Sequence, residues 1–143
     1  MNDDNNISTI LAQWQTCVES ANNISERRDN TNNLFVTLNL AILATISFTW
    51  DIKMIALLIS GITICVVWIS FINNFKHLNT AKFKVIEKLE EKLPVKAFKD
   101  EWNYIKLEKK YIEGTKLEKI LPILFIIVYL LIIIMLIVNQ CSN

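Results

Sequence analysis

Apolar and polar positions in this chain are gathered into blocks rather than mixed evenly. Residues 34–50 form an uncharged run of 17, residues 54–72 a run of 19, and residues 120–138 another of 19. The hydrocarbon core of a bilayer is about 30 Å thick, and a helix needs roughly 17–25 mainly apolar residues to cross it. Each block therefore predicts a transmembrane helix. The third, ILPILFIIVYLLIIIMLIV, departs from plain aliphatic only at Pro122, Phe125 and Tyr129 apart from its single methionine. The first is softer, carrying Thr37, Asn39, Thr45, Ser47 and Thr49. Only Asp51, Ile52 and Lys53 separate the first two blocks, which makes them an antiparallel hairpin. Trp50 stands at its tip, where an interfacial aromatic belongs.

Between and before these blocks the period changes. In the arm, residues 1–33, Ile7, Ile10, Trp14, Cys17, Ala21 and Ile24 recur at spacings of three and four, one apolar seam on a helix. Such a helix is marginal alone in water and needs a surface to lie against. The arm to residue 32 carries two positive and five negative charges, so a protein contact suits it better than an anionic leaflet. Residues 73–119 read as a helical hairpin broken at Pro94. Its first helix has a stripe of Leu78, Ala81, Val85, Ile86, Leu89 and Leu93. Its second has Phe98, Trp102, Ile105 and Ile112, widened by Tyr104, Leu107 and Tyr111. Gly114 is placed to stop that helix in a left-handed conformation. Thr115 and Glu118 match a capping box ahead of the third span. Pro122 then predicts a bend near the interface, either a moving hinge or a static entry angle.

Charge sets the threading. Fourteen of the fifteen positive residues fall in the arm (Arg27, Arg28) or in residues 73–119 (twelve lysines), leaving only Lys53 at the hairpin tip. The positive-inside rule puts that majority in the cytoplasm. The expected topology has the N-terminus inside and the tail, residues 139–143, outside, in a bacterial inner membrane. The first 33 residues lack a basic start followed by an apolar core, so no cleavable signal peptide is expected. The fold class expected is all-α: an integral membrane protein with three transmembrane helices and a helical cytoplasmic region, assembled as a symmetric homo-oligomer.

Composition narrows the chemistry. With two glycines and two prolines there is no room for a Gly-rich phosphate loop, and no P-loop, GxGxxG, GxSxG or HExxH occurs. The single histidine, His77, has no co-ligand nearby in sequence. Cys17, Cys65 and Cys141 lack metal or redox spacing and fall in three compartments on this threading, so they read as bystanders, with Cys141 free to link neighbouring subunits. Net charge is +1, and the twelve lysines of residues 73–119 face eight acidic residues, which does not suit a nucleic-acid platform. No span holds an ionisable carboxylate or base, which argues against a coupled transporter. An enzyme, a metal and a cofactor are not expected. The polar face of the first span must meet another helix or line a wet lumen. Ser60, Gly61, Ile64 and Cys65 on the second span offer small residues for close approach, and self-association is an economical way to hide the polar side.

The segment Ile24-Ser25-Glu26-Arg27-Arg28-Asp29-Asn30-Thr31-Asn32, leading into Leu34-Phe35-Val36-Thr37-Leu38-Asn39, resembles the RipA family of octameric bacterial membrane proteins. Trp14-x-x-Cys17-Val18-Glu19, the block from Asn79 to Glu87, Leu93-Pro94, Glu101-Trp102, and Glu118 ahead of Pro122 extend the resemblance over most of the chain. It implies a cytoplasmic-membrane homo-octamer linked to adaptation to growth inside host cells, with no reaction attached. The pattern puts Arg27, Arg28 and Asn32 where the arm meets the inner interface. There the arginines either anchor lipid headgroups or pair with Glu87, Glu90 or Glu101.

Three functional expectations follow. The first is a non-enzymatic, ring-forming membrane scaffold active in stress or host adaptation. The alternative is a pore-forming or membrane-disrupting effector, in antiviral defence for example, gated by a cytoplasmic ligand or protein and lined by Thr37, Asn39 and Thr45. A third is a sensor binding a small molecule between subunits. The partners expected in every case are the bilayer and further copies of the chain, with no nucleic acid.

Overall fold

The computed structural model describes residues 2–48, 51–107 and 113–142, with side-chain detail beginning at residue 5 and ending at residue 141. All regular structure among them is helical: α1 (Asn2–Phe48), a single 3-10 turn (Ile52–Met54), α2 (Ile55–Glu90), α3 (Ala97–Leu107) and α4 (Gly114–Ser142). The expected all-α fold is what forms, and three of the helices are long and apolar enough to cross a membrane. Thr49, Trp50, Tyr111 and Ile112 lie outside the described residues.

The arm and the first span are one uninterrupted helix, and so are the second span and the first charged helix. The reason is compositional. Glycine and proline are the residues that break helices at a cost of about 1 and 3 kcal/mol, and α1 contains neither. The chain turns where it must. Asp51 stands extended ahead of the 3-10 turn, and its carboxylate accepts the Lys53 N–H at 3.0 Å. α2 ends at Glu90, four residues before Pro94, and the turn that follows delivers the chain to α3.

Two expectations at the start of the last helix are corrected. Gly114 does not adopt a left-handed conformation; it is the first residue of α4, and no described residue has positive φ. Thr115 consequently sits inside the first turn and is buried, rather than standing ahead of the helix as a cap. Pro122 is accommodated within α4 and is fully buried.

The chain divides into two compact units. The apolar unit comprises Asp29–Asn73 and Gly114–Asn143, and holds the long apolar stretches of α1, α2 and α4. Its centre is built from Ile46, Leu58, Cys65, Tyr129 and Leu136, with a second cluster of Phe35, Trp68 and Ile72. The charged unit comprises Met1–Arg28 and Asn74–Glu113, and holds the arm, the end of α2 and all of α3. Among the described residues of this unit, Ile10, Ala21, Ile24, Ile86 and Glu90 are buried.

Candidate functional site

Lipid tails are as apolar as leucine, so helices in a bilayer are joined by close van der Waals contact and by hydrogen bonds, not by expulsion of water. The apolar unit uses both at one place. Asn39 is fully buried, and its side chain is the hub of a bonded cluster. Its Nδ2 donates to the Phe35 carbonyl one turn back at 2.7 Å. Its Oδ1 accepts the Tyr129 hydroxyl of α4 at 2.8 Å and the Cys65 thiol of α2 at 3.1 Å. The Tyr129 oxygen also lies 3.2 Å from the Asn39 carbonyl, so its one proton is shared between two acceptors of the same residue. One carboxamide thus ties together α1, α2 and α4.

The contact that admits Tyr129 is made by Gly61. A methyl group built on Gly61 would stand 2.7 Å from both Cε2 and Cζ of the tyrosine ring, closer than carbon atoms approach. The glycine costs α2 intrinsic stability. In exchange the tyrosine ring comes close to α2 at this glycine, which is how small residues act between membrane helices.

A second join lies in the aromatic cluster. Trp68 of α2 stacks on Phe35 of α1, with centroids 5.6 Å apart and planes 7° apart, and meets Phe125 of α4 at 6.4 Å. Its indole N–H donates to Asn32 Oδ1 at 2.8 Å. Both ends of the tryptophan are thereby used, the apolar face and the polar tip.

The other described hydroxyls of the first span lie on the outside of the single chain. Thr37, Thr45 and Ser47 are exposed, and each donates to the carbonyl four residues back at 2.9 Å. The helix's own carbonyls accept these protons as a second bond. Among the described polar residues expected on that face, Asn39 alone is buried. Ser60, Thr63 and Ser70 of α2 follow the same pattern, exposed and bonded to their own helix. Cys65 is corrected more sharply: it is a bonded member of the hub and not a bystander.

In the charged unit the expected seam does gather, with Ile10, Ala21 and Ile24 buried, Trp14 and Cys17 half-buried and Ile7 exposed. Trp14 meets Phe98 of α3 at 5.7 Å, and Phe98 meets Phe83 of α2 edge-on at the same separation. Ile105 is half-buried, while Trp102 is exposed beneath the Lys106 ammonium, 5.4 Å from the ring centre. Lys82 donates to Ser20 Oγ at 2.8 Å, and Lys76 pairs with Glu113.

The five charges expected at the interface are not equivalent. Arg27 and Glu101 are exposed; Arg28 and Glu87 are half-buried. Glu90 is fully buried, and its two carboxylate oxygens accept the backbone N–H groups of Phe98 at 3.0 Å and Lys99 at 3.2 Å. It caps α3 from the preceding helix, satisfying two of the amides that a helix start leaves open and placing its charge at the favourable dipole end.

Tyr129, Gly61, Trp68 and Cys65 were not singled out as a set by the sequence, though a signal existed. Asn39 is the one carboxamide in the first span, Tyr129 the one hydroxyl in the third, and Gly61 the one glycine in any span. Isolated polar groups on separate apolar helices are cheapest when they meet.

The model of the octameric membrane protein family (8xMP) matches residues 11–138. No curated protein and no solved structure matches the chain.

Proposed function

The chain belongs to the octameric membrane protein family, and on that premise we propose that it is a non-enzymatic homo-octameric scaffold of a bacterial inner membrane. Membership makes it a homo-oligomeric membrane protein; the scaffold role, the subunit number and the membrane are our reading. The observation that carries the reading is the use to which the apolar unit puts its polar groups. Asn39, Cys65 and Tyr129 bond to one another and join three helices, so the functional groups at the heart of the bundle are spent on holding it together. The arrangement of lysines favours the N-terminus inside and the C-terminus outside. The resemblance of its sequence blocks to RipA proteins adds a role in stress or host adaptation to the proposal.

A pore-forming effector, triggered by a cytoplasmic ligand or protein, is the second reading, and one observation favours it. Hydroxyl groups on the exposed sides of α1 (Thr37, Thr45, Ser47) and α2 (Ser60, Thr63, Ser70) would suit the wall of a lumen shared by several copies. Native mass spectrometry of the detergent-solubilised protein, followed by ion flux in liposomes, separates the two. Scaffolding predicts eight copies and no conductance. Conductance above empty liposomes replaces the scaffold with the pore, and a monomer removes both.

A further inference from the structure

The charged unit has two sides, and only one is covered. Phe98 of α3 sits against Trp14 and Phe83, so α3 lies on one side of the α1–α2 pair. On the other side the two helices leave a groove of about 490 Å³, walled by Ala12, Thr16 and Cys17 of α1 and by Val85 and Leu89 of α2. At 3.6 residues per turn, Ala12 and Thr16 fall well round the helix from Trp14, as Val85 does from Phe83. The groove is therefore a second seat for an amphipathic helix, and its wall residue Val85 is 48% exposed.

α3 offers the matching surface. Its Phe98 and Ile105 face inward, while Tyr104 and Leu107, on the opposite side, are 72% and 78% exposed. Large apolar residues bare to that degree in a unit rich in lysine call for a cover. We propose that the outward face of α3, with Tyr104 and Leu107, docks in the α1–α2 groove of a neighbouring copy of this chain. Each α1–α2 pair is then held between its own α3 and that of the next subunit.

Charge and symmetry both select a second copy as the occupant. The α2 rim of the groove carries exposed Lys84 and Lys88, and the α1 rim carries exposed Glu19. α3 has exposed Asp100 on its outward face, one turn before Tyr104, with exposed Glu101 on one flank and Lys99 and Lys106 on the other, so its acidic side opposes the lysine rim and its basic flank opposes Glu19. A groove on one copy and a ridge on the next make a heterologous contact, the kind that closes into a ring of more than two subunits. The inference rests on the oligomeric reading above and assigns the face that carries it.

Cys17 in the groove wall supplies the test. In full-length protein carrying Cys141→Ser, Tyr104→Cys and, separately, Leu107→Cys are oxidised in native membranes with copper phenanthroline. The expected result is a ladder of disulfide-linked species extending beyond the dimer on non-reducing gels, lost when Cys17→Ser is added. Charge reversal with Lys84→Glu and Lys88→Glu weakens the ladder, and Glu101→Lys restores it. A link within one chain runs as a monomer, and a reciprocal pairing stops at the dimer; either overturns the inference. So does the absence of any ladder from both variants while native mass spectrometry still gives an oligomer, which leaves the oligomeric reading standing. A monomer by mass spectrometry defeats both.

Discussion

The two units differ in how completely they satisfy their buried polar atoms, although Glu90 of the charged unit has both oxygens bonded. In the apolar unit the Asn39 carboxamide, Tyr129 hydroxyl, Cys65 thiol and Trp68 indole N–H all find partners inside the chain. In the charged unit the Trp14 indole N–H and the Asn79 carboxamide oxygen are buried with no partner in the protein. Surroundings account for the contrast. Inside a bilayer nothing else can accept or donate, so an open polar group costs several kcal/mol and the helices must satisfy one another. A unit carrying many charges lies where water is at hand, and can tolerate looser bonding. The apolar unit should therefore be rigid and intolerant of change, the charged unit more adaptable.

The sharpest way to break the comparison is at Gly61. Gly61→Val forces carbon into space held by the rigid Tyr129 ring, and overpacking of this kind costs about 1–3 kcal/mol before the hub is counted. The expected result is the largest loss of stability here, about 3 kcal/mol or more, measured by denaturant unfolding in micelles. Asn39→Leu comes next. It removes the three side-chain bonds of Asn39, leaving Tyr129 only the Asn39 backbone carbonyl and the Cys65 thiol without its acceptor, for an expected loss of about 2 kcal/mol in the same assay.

Glu90→Ala carries the comparison into the charged unit. Loss of a helix cap costs about 0.5–2 kcal/mol, and the effect should stay local: amide exchange speeds up in α3 while the amides around Tyr129 keep their protection. Faster exchange in both units would show that they do not behave separately. Trp68→Phe keeps the stack on Phe35 but drops the bond to Asn32, and should cost about 1 kcal/mol in micellar unfolding. The smallest effect is expected at Thr45→Val. Its exposed hydroxyl donates to the Ala41 carbonyl of its own helix, so stability should stay within about 0.5 kcal/mol of the parent. A large loss there would mean that this face is covered by another copy.

Much of the architecture was legible from residue patterns because its causes are local. Uncharged runs of bilayer length are visible in sequence, and so are the short link at residues 51–53 and the break ahead of Pro94. Gly114 shows the limit of local reasoning. A glycine between two helices suggests a left-handed stop, but it serves equally well as a first helical residue, and only the path of the chain selects one. Glu90 shows another limit: in sequence it stands as one of three candidate partners for the arginines, and its role as a buried cap depends on a turn that brings the start of α3 over it.

Sequence alone settled the class of the molecule. Hydrophobic length and the scarcity of glycine and proline are additive along the chain, so they declare a helical membrane protein without reference to any contact. Which polar groups meet was decided only in three dimensions. The bonds among Asn39, Cys65 and Tyr129 span up to 90 residues of chain, and they depend on helix rotation and depth that no single segment specifies. The same holds for the groove and the bare face of α3. Both exist because three amphipathic segments meet on one side and leave the other open.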